Sequence, residues 1–426
     1  MAKVWIESYG CSASMADSEM IAGLLKHNGH QMVRDVNSAD VNLIVTCAVK
    51  DATANRMVYR IKDLTRTGKP LVVAGCLAKA EPDRIEKLSP KASMLGPHAL
   101  DKAVQVVNAA LDGSKLVALE DSTFSKVNLP RFRLNPVVGI TEIASGCLSE
   151  CTFCETKLAK GMLRSYRIGD IVRQVRDDIG QGCREVWLTS TDNGPYGRDL
   201  GCNLAVLLNE VCSIEGDFMV RVGMMNPLYV PFMLDDLIRA YRSEKVFKFL
   251  HIPVQSGSDK VLKLMKRGHK ASTFIDIAKR FRDEFEHFTI ATDIIVGFPQ
   301  ETKVDFEQTL ELLKEVEPDI INISRYSARP GTEASLMAKV NTKVVKERSK
   351  ALHELANTIG YRRNRVWMDW CGEVLVDEIK DDCMQGRNFA YKPVFVKEKV
   401  PIGSRINVKI NSVFNHSLFG KIITKF

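Results

Sequence analysis

The sequence predicts an α/β chain in three parts: an N-terminal parallel α/β domain, a central partial (β/α)6 barrel and a small antiparallel β-barrel at the C-terminus. Three observations carry this. Short β-rich runs alternate with amphipathic stretches over residues 1–112 and again from Val137 to Pro330, and strand-helix alternation of that kind builds parallel sheets. A polar stretch without sustained periodicity, from Asp112 to Pro136, separates the two blocks and reads as a linker. Beyond it, the basic helical segment "TKVVKERSKALHELANTIGYRRNRVW" gives way to short alternating strands with Gly, Pro and Asn turns, the pattern of a small barrel. The expected domains are therefore 1–112, a linker at 113–136, 137–362 and 363–426.

Composition is consistent with this division. With 426 residues and 45% hydrophobic content, the chain can build two or three cores. The start, "MAKVWIESYG", has no charged-then-apolar leader, and no run approaches the roughly 18 apolar residues of a spanning helix. A cytoplasmic protein without membrane attachment is expected. Its eleven cysteines would then stay reduced, so clustered ones read as metal ligands or reactive groups. The net charge is +8, and from Tyr361 to Phe426 twelve Lys and Arg face seven Asp and Glu. The basic C-terminal end suits a polyanionic partner.

In the first segment the runs "KVWIESYGC", "VNLIVTC" and "PLVVAGC" each close on a cysteine, Cys11, Cys47 and Cys76, and the helices between them carry apolar residues such as Met20, Ile21, Leu24 and Leu25 at helical spacing. The intervals of 36 and 29 residues are one βαβ unit each, so the three strands run the same way and their thiols gather at one sheet edge. That edge is where open α/β sheets bind ligands. The second segment has six candidate strands: Val138 to Ala144, Glu185 to Thr189, Met219 to Met224, Phe249 to Val254, Thr289 to Val296 and Ile320 to Ser324. Polar and glycine-rich stretches follow them, among them "TSTDNGPYGRD", "QSGSD", "GFPQE" and "RYSARPGT", where barrel chemistry belongs. In the third segment the strands are "GEVLVDEI", "RNFAYKPVFV", "SRINVKINSV" and "LFGKIITKF".

The most specific signal is "SGCLSECTFCE", with Cys147, Cys151 and Cys154 spaced C-x3-C-x2-C just after an apolar strand. Three thiolates at short spacing suit three irons of a cubic 4Fe-4S cluster and leave the fourth iron open. Structural zinc asks for four ligands, and neither a His nor a fourth Cys lies between Ile140 and Arg164. Cys183, Cys202, Cys212, Cys371 and Cys383 share no spacing and read as packing residues.

This loop resembles the signature of the radical S-adenosylmethionine (radical SAM) enzymes. The resemblance implies that SAM chelates the open iron and that one-electron reduction yields a 5′-deoxyadenosyl radical. "YGCSASMADSE", "VTC", "AGC", "GCLSECTFC", "LRSYRIGDIV", "YGRDLG", "FLHIPVQSGSD", "DIIVGFPQET" and "YSARPGT" extend it over essentially the whole chain. Together they look like the methylthiotransferases, most similar to the archaeal and eukaryotic branch acting on N6-threonylcarbamoyladenosine in tRNA. On that likeness Cys11, Cys47 and Cys76 hold an auxiliary 4Fe-4S cluster beside the sulfur-insertion site, and the C-terminal barrel is a TRAM-like RNA-binding domain.

The same resemblance places Phe153 against the adenine of SAM, Arg221 near its carboxylate, and Ser190, Gln255 and Asp293 at its amino or ribose groups. Relatives read T-S-E-D where this chain has Thr189, Ser190, Thr191 and Asp192, which moves the expected acidic contact to Asp192. Leu158 and Lys160 stand where a histidine and an arginine are expected. Two clusters and SAM are the implied cofactors; tRNA, an electron donor such as ferredoxin or flavodoxin, and a sulfur source are the implied partners. Tyr391, Phe395, Phe414 and Phe419 are candidates for base stacking, although aromatics in so small a barrel are more often core. One rival keeps the chemistry and changes the target to isopentenyladenosine or a ribosomal-protein aspartate; another is a non-enzymatic iron-sulfur RNA-binding protein.

Overall fold

Short runs within the first 118 residues pair into one six-stranded parallel sheet. Its strands, β1 (Lys3–Ser8), β2 (Gln31–Val33), β3 (Val41–Thr46), β4 (Leu71–Gly75), β5 (Ser93–Leu95) and β6 (Val117–Ala118), lie in the order β2-β1-β3-β4-β5-β6. The computed structural model describes residues 1–47, 51–122 and 124–425. Every residue of β3 and β4 is buried, as expected of strands covered on both faces. The three strands legible in the sequence, β1, β3 and β4, are neighbours in the sheet. β2, β5 and β6 are too short to show a period.

The stretch read as a linker is docked. It supplies edge strand β6, and its Lys126 and Val127 are buried. Gly23, on the helix Ser12–His27, allows this: a Cβ there would overlap the Pro130 carbonyl. Just beyond, the Phe132 amide donates to the Glu19 carbonyl at 2.9 Å.

The central domain has six parallel strands and a small ribbon: β7 (Val138–Glu142), β8 (Ala144–Ser145), β9 (Arg164–Ser165), β10 (Glu185–Thr189), β11 (Met219–Val222), β12 (Phe249–His251), β13 (Thr289–Val296) and β14 (Ile320–Arg325). They form two runs, β11-β10-β7 and β12-β13-β14, linked by a single bridge between Val220 and Val246. The expected strand from Val138 to Ala144 breaks into β7 and β8, because β8 turns to pair antiparallel with β9 at Ala144↔Ser165 and Ser145↔Arg164. That ribbon frames the central cysteine loop. Val186, Leu188, Val220 and Val222 pack outward with helical side chains such as Leu207, Leu208 and Phe281 in the largest core.

After the 24-residue helix Thr342–Arg365, strands β15 (Cys371–Lys380), β16 (Cys383–Arg387), β17 (Pro393–Val396), β18 (Arg405–Val413) and β19 (Leu418–Lys425) close a barrel in the order β15-β16-β17-β19-β18. The run "RNFAYKPVFV" is two strands rather than one. Asn388 Oδ1 accepts the amides of Ala390 and Lys392 at 3.1 and 3.0 Å, and Tyr391 is left-handed at φ 61°, so the chain turns between β16 and β17. The turn drives Tyr391 into the central domain, where its ring lies 4.8 Å from Phe247 and 5.0 Å from Phe249. Beside it, buried Lys392 pairs with Asp319 at 2.9 Å. Among the described residues, no helix is long and apolar enough to cross a membrane.

Candidate active site

Three of the six cysteines in the two trios share one local device, a strand followed by a left-handed glycine and then the thiol. Gly10, Gly75 and Gly146 have φ of 119°, 92° and 72° and immediately precede Cys11, Cys76 and Cys147, a conformation costly for any residue bearing a Cβ. There is no room for one either: a Cβ on Gly10 would overlap Cys47, on Gly75 the Thr46 carbonyl, and on Gly146 the Met162 carbonyl.

In the central loop the Ser149 amide donates to Cys147 Sγ at 3.3 Å. Asp192 Oδ2 lies 3.9 Å from the same sulfur. Arg267, buried and distant in sequence, donates through Nη1 to Cys151 Sγ at 3.3 Å and through Nη2 to the Pro253 carbonyl at 2.8 Å. Cys154 sits at the N-cap of the helix Glu155–Lys160. Thr152 anchors the loop to the "LM" of residues 264 and 265, its hydroxyl to the Leu264 carbonyl at 2.9 Å and its amide to the Met265 carbonyl at 3.1 Å. Burial pushes the Cys147 thiol up to about 12, with the Asp192 carboxylate adding to the rise; burial and Cys151 raise Cys154. These thiols stay protonated until a cation takes them as thiolates.

Around this loop the expected cofactor contacts fall into two groups. Three of them already have hydrogen-bond partners. The Ser190 hydroxyl donates to Asn193 Oδ1, and Asp192 Oδ1 accepts the amides of Gly194 and Asn226, each at 3.0 Å. Asp293 lies 3.0 Å from His251 Nε2 inside the barrel. The others keep open polar atoms: Gln255, left-handed at φ 75°, has a buried Oε1 without a partner among the described residues, as does Arg221 at Nε. Arg221 lies over three rings, 5.3 Å from Trp187, 5.4 Å from Phe249 and 5.4 Å from Tyr391, so its guanidinium borders the aromatic floor of the barrel. Phe153 packs edge-on against Phe298 at 6.2 Å. Of the two departures, Leu158 is 47% exposed whereas Lys160 is buried.

Cys11, Cys47 and Cys76 follow the three neighbouring strands β1, β3 and β4. The Cys47 thiol hydrogen-bonds Cys11, the largest of the effects that hold the Cys11 thiol well below its ordinary value, and the Lys160 ammonium adds to them. Burial instead pushes Cys76 up to about 12. The Cys47 amide donates to Met57 Sδ at 3.2 Å. Cys76 packs on Ala159, in the helix that begins at Cys154. That helix has six residues, a rise of about 9 Å, so the two trios are near neighbours. The Ser12 and Thr189 hydroxyls meet at 2.6 Å, closing the seam between the N-terminal sheet edge and the mouth of the barrel. Among the described residues no three His, Cys, Asp or Glu side chains converge on one metal-ion position; a cubic cluster, whose three ligated irons are separate atoms, does not require its thiolates to meet at a point. Two sets of three soft sulfur donors at strand ends fit such clusters.

The C-terminal barrel separates its aromatics. Tyr391 is a buried plug, whereas Phe395 and Phe419 stack at 5.1 Å with planes 20° apart, and Phe414, 52% exposed, meets Phe419 edge-on at 5.3 Å. Exposed Lys397, Lys409 and Lys421 lie on strands β17 to β19 or just beyond them.

Comparison with known proteins agrees with this architecture. The family described as "Uncharacterized protein family UPF0004" matches residues 3–96, and the Radical SAM superfamily matches residues 141–313. A probable threonylcarbamoyladenosine tRNA methylthiotransferase of Pyrococcus horikoshii is 41% identical over 100% of both chains. One of Archaeoglobus fulgidus is 42% identical over 99% of this chain and 98% of its own. The Drosophila melanogaster threonylcarbamoyladenosine tRNA methylthiotransferase is 35% identical over 99% of this chain and 78% of its own. Among solved structures, the radical S-adenosylmethionine methyltransferase TsrM of Kitasatospora setae, with cobalamin and a [4Fe-4S] cluster bound, aligns with a TM-score of 0.59 at 11% identity, over 78% of this chain and 77% of that one. At that identity the likeness is one of fold.

Proposed function

Since the chain belongs to the threonylcarbamoyladenosine tRNA methylthiotransferase family, we propose a division of labour among its residues. It is a radical SAM enzyme that converts N6-threonylcarbamoyladenosine next to the anticodon of tRNA to the 2-methylthio derivative, using SAM and a 4Fe-4S cluster. Cys147, Cys151 and Cys154 hold that cluster, which supplies the electron that cleaves SAM. Cys11, Cys47 and Cys76 hold a second cluster, where sulfur is presented. The observation that supports this reading is the meeting of two three-thiol sites at one seam, joined by the helix that runs from Cys154 to the wall beside Cys76.

The other residues have binding and shaping roles. Gln255 and Arg221 offer their open polar atoms to SAM or to the base. Phe153 stacks at the adenine edge, with Phe298 behind it. Asp192, fixed by two amides, buffers the first cysteine, and Ser190 and Asp293 line the remaining strand ends. Arg267 places its guanidinium on Cys151 Sγ and so fixes the orientation of that sulfur in the loop. Residues 1–112 serve the auxiliary site, 137–362 the radical site and 363–426 tRNA. An external sulfur source and a low-potential electron donor of the ferredoxin or flavodoxin class complete the reaction.

Anaerobic incubation of reconstituted protein with dithionite, SAM and tRNA carrying either modified base, followed by nucleoside mass spectrometry, tests the assignment. The expected product is the methylthio derivative of the threonylcarbamoyl base; product on the isopentenyl base alone overturns it. Alanine at Cys147, Cys151 and Cys154 abolishes 5′-deoxyadenosine formation, whereas alanine at Cys11, Cys47 and Cys76 leaves it and removes sulfur insertion. Equal loss of cleavage in both overturns the division.

A further inference from the structure

One buried cation at the auxiliary site has no role in the reading above. Lys160 ends the helix Glu155–Lys160 and is 4% exposed. Its Nζ donates to Glu142 Oε1 at 2.8 Å. Glu142 Oε2 lies 3.2 Å from Lys126 Nζ, which pairs with Asp17 Oδ1 at 2.7 Å. The four charges come from the helix Ser12–His27, the stretch 113–136, strand β7 and the helix after the central cysteines, and all four are at least nine-tenths buried. Burying four charges costs more desolvation than their pairing returns, unless something else fixes them there.

Charge and geometry indicate what that is. An ammonium has three donors, and Glu142 takes one from Lys160. Ala159, one residue earlier, packs directly on Cys76, so the end of this helix lies against the auxiliary trio. As it stands the quartet is neutral, two cations against two carboxylates. Three thiolates and a cluster would add net negative charge beside these buried groups, where electrostatic interactions are more weakly screened than in water.

We propose that Lys160 is a positioning residue of the auxiliary site: anchored by Glu142, its ammonium faces the Cys11/Cys47/Cys76 trio and offsets the charge of the cluster, setting how readily that cluster accepts an electron. The inference rests on the reading of this trio as cluster ligands. A fixed cation stabilises the more negative, reduced state. Glu142 has the opposite influence and determines how much of the Lys160 charge reaches the trio.

The test uses the full chain carrying Cys147→Ala, Cys151→Ala and Cys154→Ala, so that the auxiliary trio alone takes up iron on anaerobic reconstitution. Iron content and the midpoint potential from a dithionite titration followed by electron paramagnetic resonance are read for this parent and for Lys160→Met, Lys160→Arg and Glu142→Gln added to it. Lys160→Met is expected to shift the potential downward, Lys160→Arg to leave it near the parent and Glu142→Gln to shift it upward. Should Lys160→Met take up no iron, uptake of about four irons by Lys160→Arg supports the role of the charge, and failure of both overturns it. An unmoved potential in Lys160→Met at full iron, or equal-direction shifts in Lys160→Met and Glu142→Gln, overturns this inference alone. A parent without iron overturns it together with the ligand assignment.

Discussion

Truncating Tyr391 tests whether the C-terminal barrel is locked to the central domain by an inserted ring. The side chain is 7% exposed and touches Phe247 at 4.8 Å, Phe249 at 5.0 Å and the guanidinium of Arg387 at 4.6 Å. Removing a buried aromatic of this kind costs about 4 kcal/mol, so Tyr391→Ala is expected to lose that much. The backbone adds a second effect with a definite sign. At φ 61° a residue with a Cβ stores about 1 kcal/mol that glycine does not, so Tyr391→Gly is expected to lose only about 3 kcal/mol although its side chain is smaller. Tyr391→Phe keeps the ring and its contacts and is expected to cost no more than about 1 kcal/mol. Guanidinium unfolding of the metal-free chain, followed by the fluorescence of Trp187 near the floor, measures all three. A Tyr391→Ala cost below about 1 kcal/mol, or a glycine variant less stable than the alanine one, refutes the plug.

Three further outcomes are expected. Gly146→Ala, blocked both by its φ of 72° and by the Met162 carbonyl, should lose the central cluster and leave the auxiliary one, so iron per reconstituted chain falls from about eight to about four; unchanged iron counts against the loop geometry. Glu185, under the Tyr391 ring, is pushed by burial and by Asp377 to about 7 from its ordinary 4.5, so its neutral form favours the fold and stability is lost as pH rises from about 4.5 to about 7. Glu185→Gln should then gain on the wild type across that window, by at most on the order of 3 kcal/mol, and parallel denaturation midpoints from pH 4.5 to 8 would contradict this. Phe414→Ala with Phe419→Ala should weaken tRNA binding by roughly 1–3 kcal/mol per lost stack, measured by anisotropy at fixed salt, with SAM cleavage unaffected; equal affinity would remove these rings from the RNA face.

The fold and the cysteine sites were legible for different reasons. Strand-helix alternation is a local signal, and β1, β3 and β4 were visible because each is a β-rich run of five or six residues with a cysteine just beyond it. β2, β5 and β6, at two or three residues, had no period to show. The stretch 113–136 looked like a linker because its docking depends on the missing side chain of Gly23 and on one lysine, neither of which leaves a pattern. Arg267 was invisible for the same reason: it meets Cys151 across 116 positions in a segment with no motif of its own. Lys160 was noticed only as a departure from an expected arginine, and its burial against Glu142 was not.

The order of the elements, the three-thiol loop and the thiols at three parallel strand ends were determined by the sequence itself, because spacing along the chain sets them through the βαβ period and the reach of a short loop. Which charges are buried together, which aromatic plugs the barrel and which ones face solvent were decided only by tertiary structure. Those outcomes depend on contacts between residues tens to hundreds of positions apart. Desolvation rather than local propensity sets their energies, and a linear pattern holds no record of which groups share a dry environment.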